Sequence, residues 1–248
     1  MSRILRNVML VAFLILSGTE LFAVEKQDTL NSGRMPDTAA QGAHTSVLIS
    51  PEFTIHKTGT AVLIMDFEND IVSMLPESSR IPLLEKAGTI VKASRQAHIP
   101  IIYIVVRFRD GYPEINVQNK LFSNLKDSGR LREGSFGAEI NAKVAPQPGD
   151  IIVTKRRVGA FSTTDLETIL RSQNINTLVL FGISTSGVVL STVRWAADAD
   201  YKLVVISDAC ADRDAEVQRV LMDKVFPWQA TVVNTQEFLK AVGAKDQK

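Results

Sequence analysis

The sequence predicts an α/β fold: a three-layer sandwich with a mostly parallel, roughly six-stranded sheet covered by helices on both faces, in the Rossmann-like manner. Two observations carry this. Six short apolar runs rich in Val and Ile recur between residues 60 and 242. Amphipathic stretches of helical period lie between them, so strands and helices alternate along the chain.

The first strand is read at residues 61–65, Ala-Val-Leu-Ile-Met, closed by Asp66. A helical pattern at 81–97 returns the chain to a second strand at 100–106, which ends against Arg107. The third strand, 151–154, ends at Lys155, and a helix is read at 164–173. The fourth strand, 177–181, runs into a glycine-bounded turn at 182–187 and a helix at 188–199. The fifth, 202–206, is followed by Asp208 and a helix at 215–225; the sixth, 230–233, leads into a last helix at 235–242. Residues 107–150 are assigned no element.

Composition narrows the function classes. Hydrophobic residues at 45% against 22% charged are the balance of a folded core, which excludes disorder for most of the chain. Lys and Arg number 28 against 27 Asp and Glu, and a net charge of +1 offers no footprint for a phosphate backbone, so no nucleic-acid partner is expected. Residues 1–23 are ordered as a signal peptide: Arg3 and Arg6, an apolar run at 8–16, then a short polar stretch ending Leu21-Phe22-Ala23. That run falls well short of the roughly 20 apolar residues that cross a bilayer. The expectation is an exported protein, periplasmic or secreted, cleaved after Ala23 and free of the membrane thereafter. Residues 24–58 read as a flexible arm, 59–242 as one domain and 243–248 as a tail. The only cysteine, Cys210, permits no internal disulfide, so the domain is expected to be held by its core alone.

In a sheet of this kind ligands sit beyond the carboxyl ends of the strands. Asp66-Phe67-Glu68-Asn69-Asp70 follows the first strand and places several carboxylates at the mouth of the crevice, where burial raises carboxyl pKa values. Lys155 supplies a cation that holds one carboxylate ionised or shares its proton. Gly182-Ile183-Ser184-Thr185-Ser186-Gly187-Val188 is a strand-to-helix turn whose backbone N–H groups can face an anion or oxyanion.

Taken in order, and with Gly159-Ala160-Phe161-Ser162-Thr163-Thr164-Asp165-Leu166 beside Lys155, these segments resemble the isochorismatase-like hydrolases, the superfamily of nicotinamidases, carbamoylsarcosine amidases and isochorismatases. The resemblance covers about residues 60–242. It implies a triad of Asp66, Lys155 and a cysteine, and aligning the turn at both ends puts Val188 at the cysteine position. A valine cannot attack a carbonyl. The resemblance also implies oxyanion donors from the backbone N–H groups of Ser184 and Val188, within a turn formed by Ser184, Thr185, Ser186, Gly187 and Val188, and a cis peptide between Ile183 and Ser184. Glu68 stands where the family commonly has glutamine, and is expected to add a negative charge that raises the apparent pKa of its pair with Asp66. Glu68, Arg107 and Phe161 form the candidate substrate-binding set, with Arg156 a further cation for an anionic group. Nicotinamidases bind a metal through an aspartate and histidines near the second strand; Arg107-Phe108-Arg109-Asp110 has no histidine, so neither a metal nor another cofactor is expected. The family's habit of oligomerising implies a homo-oligomer.

Two function classes stay open at this point. One is a hydrolase acting on a small metabolite, anionic or carbonyl-bearing, by Asp/Lys acid–base chemistry without a cysteine nucleophile. Isochorismatases that lack the cysteine resemble such a site, with an aspartic acid protonating a vinyl ether and water completing hydrolysis. The other is a catalytically inactive small-molecule-binding or assembly protein that retains the fold. Cys210 reads as a packing residue, and the hydroxyls of Ser184, Thr185 and Ser186 as turn or cap groups without an activating base. His44, His56 and His98 fall in the arm, just before the domain and away from the crevice mouth. Trp195 and Trp228 read as packing or interface residues. A solvated basic run is the plain alternative for Lys155, Arg156 and Arg157.

Overall fold

The computed structural model describes residues 53–243, so residues 1–23, expected to be a signal peptide, most of the expected arm and the expected tail beyond Gly243 lie outside the described residues. Six strands form one sheet: β1 (Thr60–Met65), β2 (Ile101–Val106), β3 (Ile151–Lys155), β4 (Thr177–Gly182), β5 (Lys202–Ile206) and β6 (Thr231–Val233). Their order is β3-β2-β1-β4-β5-β6, and every neighbouring pair is parallel. Parallel neighbours demand long crossovers, and these carry all the helices but the last, which follows β6. They are α1 (Asn69–Val72), α2 (Glu77–Gln96), α3 (Leu125–Ser128), α4 (Leu166–Ser172), α5 (Leu190–Asp198), α6 (Ala215–Val220) and α7 (Thr235–Gly243). All six residues of β1 and all six of β2 are buried. Because side chains alternate between the two faces of a strand, burial without alternation means that both faces are covered.

The elements fall within a residue or two of the sequence expectation, with three informative exceptions. Helix α2 begins at Glu77 rather than at residue 81 and encloses Pro82. Proline there removes the N–H that would bond to Ser78, but Ser78 is exposed in the first turn, where water satisfies the carbonyl. The helices expected at 188–199 and 215–225 each contain a wide π-type turn, at Thr185–Val189 before α5 and at Leu221–Val225 after α6. Finally, Ile55 is buried in the core and Phe53 packs on it, so the core takes in residues before 59.

Residues 107–150 contain only α3 and two short 3-10 turns, Phe136–Ala138 and Ala142–Val144. This segment is tied to the carboxyl end of β1 by Asp70. The Asp70 carboxylate accepts the Leu131 N–H at 2.8 Å and lies against Gly137, where any Cβ would collide with it. Asp70 is therefore a structural anchor.

The order of strands reverses direction about β1, and the crevice at that switch point opens between the carboxyl ends of β1 and β4. Gly182 closes β4 opposite Met65, and a Cβ on it would sit 2.5 Å from the Met65 carbonyl oxygen. A glycine lets the two strand ends approach that closely.

Candidate active site

Asp66 is the first residue past β1, with φ of 60°, in the left-handed region that an aspartate tolerates better than most residues. Its Oδ2 accepts a hydrogen bond from Lys155 Nζ at 2.9 Å, while Oδ1 is buried with no partner. Lys155 is the last residue of β3, two strands away, and is 1% exposed. Its ammonium also donates to the Arg157 carbonyl at 3.1 Å. Strand-end placement, with β2 between the two, is what brings residues 89 positions apart into contact. Burial pushes the Asp66 carboxyl up to about 6, against the pull of the Lys155 charge and hydrogen bond. Glu68 is 0% exposed; its Oε1 accepts the Val106 N–H and its Oε2 has no partner. Burial, and then the charge of Asp66, hold Glu68 well above the ordinary glutamate range.

Above this pair lies a cavity of about 500 Å³. Asp66, Lys155, Ser184, Gly187 and Val188 line it from the sheet side, and Phe122, Leu125, Arg130 and Leu131 from the 107–150 segment. Val188 is 1% exposed, in the π-type turn that opens α5. The Ile183–Ser184 peptide is cis. Ser184 donates its backbone N–H to no acceptor among the described residues, and its carbonyl accepts from Gly187 and Val189 at 3.2 and 3.3 Å.

Several residues picked out from the sequence lie elsewhere. Thr185 is fully buried on the far side of the turn, with its N–H on the Ala211 carbonyl at 2.9 Å and its hydroxyl on Gln218. The Ser186 N–H goes to Asp212 at 2.7 Å. Neither residue lines the cavity. Arg107 directs its Nε to the Ala138 carbonyl at 2.9 Å and helps to fold the 107–150 segment. Arg156 pairs with Glu114 and Glu133, and Arg157 bonds the Glu114 carbonyl, so of the basic run only Lys155 reaches the site. Phe161 stacks on Trp195 with ring centroids 3.9 Å apart and an interplanar angle of 15°, a packing contact. Glu68 is beneath the cavity floor and does not line it.

Besides Lys155, the cations that face the cavity are Arg130 and Arg213. Arg130 is held by the Asp70 carbonyl, while Arg213 is exposed and has no ion pair among the described residues. The strand-end rule applied to β5 reaches Asp208 and stops short of Arg213. Nothing in the periodicity of residues 107–150 marks Arg130. Cys210, the chain's only cysteine, does not line the cavity, and burial pushes its thiol up to about 12. Among the described residues no group of three or more His, Cys, Asp or Glu is placed to hold a metal ion.

The model of the isochorismatase domain matches residues 60–237. The chain belongs to the isochorismatase family. An isochorismatase family protein of Bacillus subtilis, YwoC, is 32% identical over 183 residues, covering 74% of this chain and 94% of its own. The ureidoacrylate amidohydrolase RutB of Pseudomonas syringae pv. syringae is 28% identical over 207 residues, covering 75% of this chain and 81% of its own. Among solved structures, a cysteine hydrolase from Pseudomonas syringae pv. phaseolicola superposes with a TM-score of 0.70 at 25% identity, over 77% of this chain and 95% of that one. The family and the α/β fold expected from the three sequence segments are thereby confirmed.

Proposed function

We propose that this isochorismatase-family protein hydrolyses a small molecule with an apolar body and an anionic end, using Asp66 and Lys155 as its acid–base pair and water in place of a thiolate. The observation that carries this reading is the 2.9 Å Lys155–Asp66 contact on the floor of a cavity that no thiol lines. The apolar wall and the two arginines fit the substrate class, and the naming of a relative as an amidohydrolase supports hydrolysis. Ionised Asp66 takes a proton from water as the water oxygen bonds to the substrate carbonyl carbon. The carbonyl electron pair moves onto its oxygen, beside the Ser184 N–H. Collapse of this adduct breaks the bond to the leaving group, and the proton on Asp66 passes to the departing atom. Lys155 holds Asp66 in place throughout. Acid–base assistance of this kind contributes roughly 10²- to 10⁴-fold.

A vinyl ether would instead need Asp66 in its protonated form, and the pH profile separates the two. Base catalysis makes kcat/KM rise through about 6, the Asp66 value; acid catalysis makes it fall there. The test is turnover of a panel of small amides, ureas, esters and vinyl ethers by the purified protein beside Asp66→Asn. Loss of about 10²-fold or more is expected; a variant as active as the parent would end this proposal. Val188, buried where the resemblance places a nucleophile, favours a second reading, an inert binding protein. Activity that appears only in Val188→Cys would establish it. Export through residues 1–23 and a homo-oligomeric state belong to the same proposal, to be checked by N-terminal sequencing of the exported chain and by sedimentation.

A further inference from the structure

Glu68 is a wholly buried acid that the mechanism above leaves unused. Its Oε1 takes the Val106 N–H, whereas Oε2 is buried and has no partner. Asp66, two residues earlier, has a matching defect: Oδ2 is taken by Lys155, and Oδ1 is buried without a partner. The two carboxyls are close enough for the charge of one to raise the proton affinity of the other, and a hydrogen on Glu68 turns one orphaned acceptor into a donor for the second. We propose that Glu68 is a neutral carboxylic acid whose Oε2–H donates to Asp66 Oδ1, making it a positioning residue that leaves the negative charge of the cluster on Asp66.

The location of the proton follows from the contacts. The charged groups that face Glu68 are Asp66 and Lys155, and the ammonium touches Asp66. An anion is cheaper where the cation is, so the charge settles on Asp66 and the proton on Glu68. The directions of titration agree, since burial and the Asp66 charge drive Glu68 well above its usual range while Lys155 restrains Asp66 at about 6. On this reading Glu68 adds a neutral hydrogen-bond donor in place of a second negative charge, and the rise expected in the apparent pKa of the pair falls on Glu68. With Lys155 at Oδ2 and Glu68 at Oδ1, the Asp66 carboxylate is gripped from both sides and cannot swing when a substrate arrives.

The positioning role rests on Asp66 being the acid–base group of the proposed reaction; the protonation state does not, and it is measured without substrate. Infrared spectra of the intact protein at neutral pH, unlabelled and grown with carboxyl-labelled glutamate or aspartate, should show a protonated-carboxyl stretch that shifts with the glutamate label alone. Glu68→Gln should abolish this band. The labelled-aspartate signal then gives the midpoint of Asp66, which should hardly move in Glu68→Gln, because an amide N–H replaces the acid O–H. In Glu68→Met the midpoint should rise, since the donor that favours the charged form is gone. A band that follows the aspartate label, the absence of any band, or a midpoint falling tenfold or more in proton affinity in Glu68→Gln would overturn the proposal. The wild-type labelling alone decides the matter if a variant fails to fold.

Discussion

Replacing Glu68 with Gln removes a titratable group while keeping its shape and its acceptor for the Val106 N–H. In the unfolded chain Glu68 ionises near 4.5, whereas in the fold burial and the Asp66 charge keep its proton on well above that pH. Between those two points the native state binds a proton that the unfolded state has released. Stability therefore falls as pH rises, by about 1.4 kcal/mol per pH unit for one group. The variant carries no such group. Relative to Glu68→Gln, the wild type should lose stability progressively above about pH 4.5, opening a gap that widens as pH rises toward the point where the folded-state carboxyl ionises. Below about pH 4 both states of the wild type are protonated and the gap should close. Urea unfolding of both proteins, at one protein concentration and a series of pH values, measures the difference directly. Two parallel curves would refute the reasoning, because they would mean that Glu68 titrates alike folded and unfolded.

Other outcomes follow from the same geometry. Phe161→Ala should cost about 3 kcal/mol through loss of the Trp195 stack, seen in thermal melts, while KM stays unchanged. Arg213→Ala should raise KM for an anionic substrate several-fold with little change in kcat, an effect that shrinks as salt rises, because its guanidinium is exposed at the cavity. Asp70→Ala should leave the Leu131 N–H without its acceptor, at a cost of about 1 to 3 kcal/mol, and limited proteolysis should then cut within residues 107–150 first.

How much of this was legible in the sequence depends on where each feature gets its order. Strands such as β1 and β2 announce themselves because burial on both faces requires unbroken apolar runs. Asp66 and Lys155 could be read because each sits one step from a strand end, and a parallel sheet brings such ends together. Arg107 could not, since its choice between the cavity and the Ala138 carbonyl is made by a segment with no period of its own. Thr185 and Ser186 could be placed in the turn but not relative to the cavity: in the π-type turn they fall off its lining, and residue types do not reveal a turn's pitch. Which of the two carboxyls keeps the proton was hidden, because it depends on which of them the lysine touches.

The Asp70 anchor divides the protein by how freely it can change. The reacting groups are fixed to strand ends inside the core, where almost any substitution is felt by the sheet. Several residues that would choose among substrates, Phe122, Leu125 and Arg130 among them, sit on a long segment held to that floor where Asp70 meets Leu131 and Gly137. Provided those positions and the further ties of the segment to the strand ends are kept, among them Arg107 to Ala138 and Asn141 to Phe67, the exposed remainder of the wall can be recut in charge or bulk with little effect on the chemistry beneath it. New selectivity in this scaffold is then expected to arise from changes to residues 107–150, and an engineer seeking a different substrate should begin there.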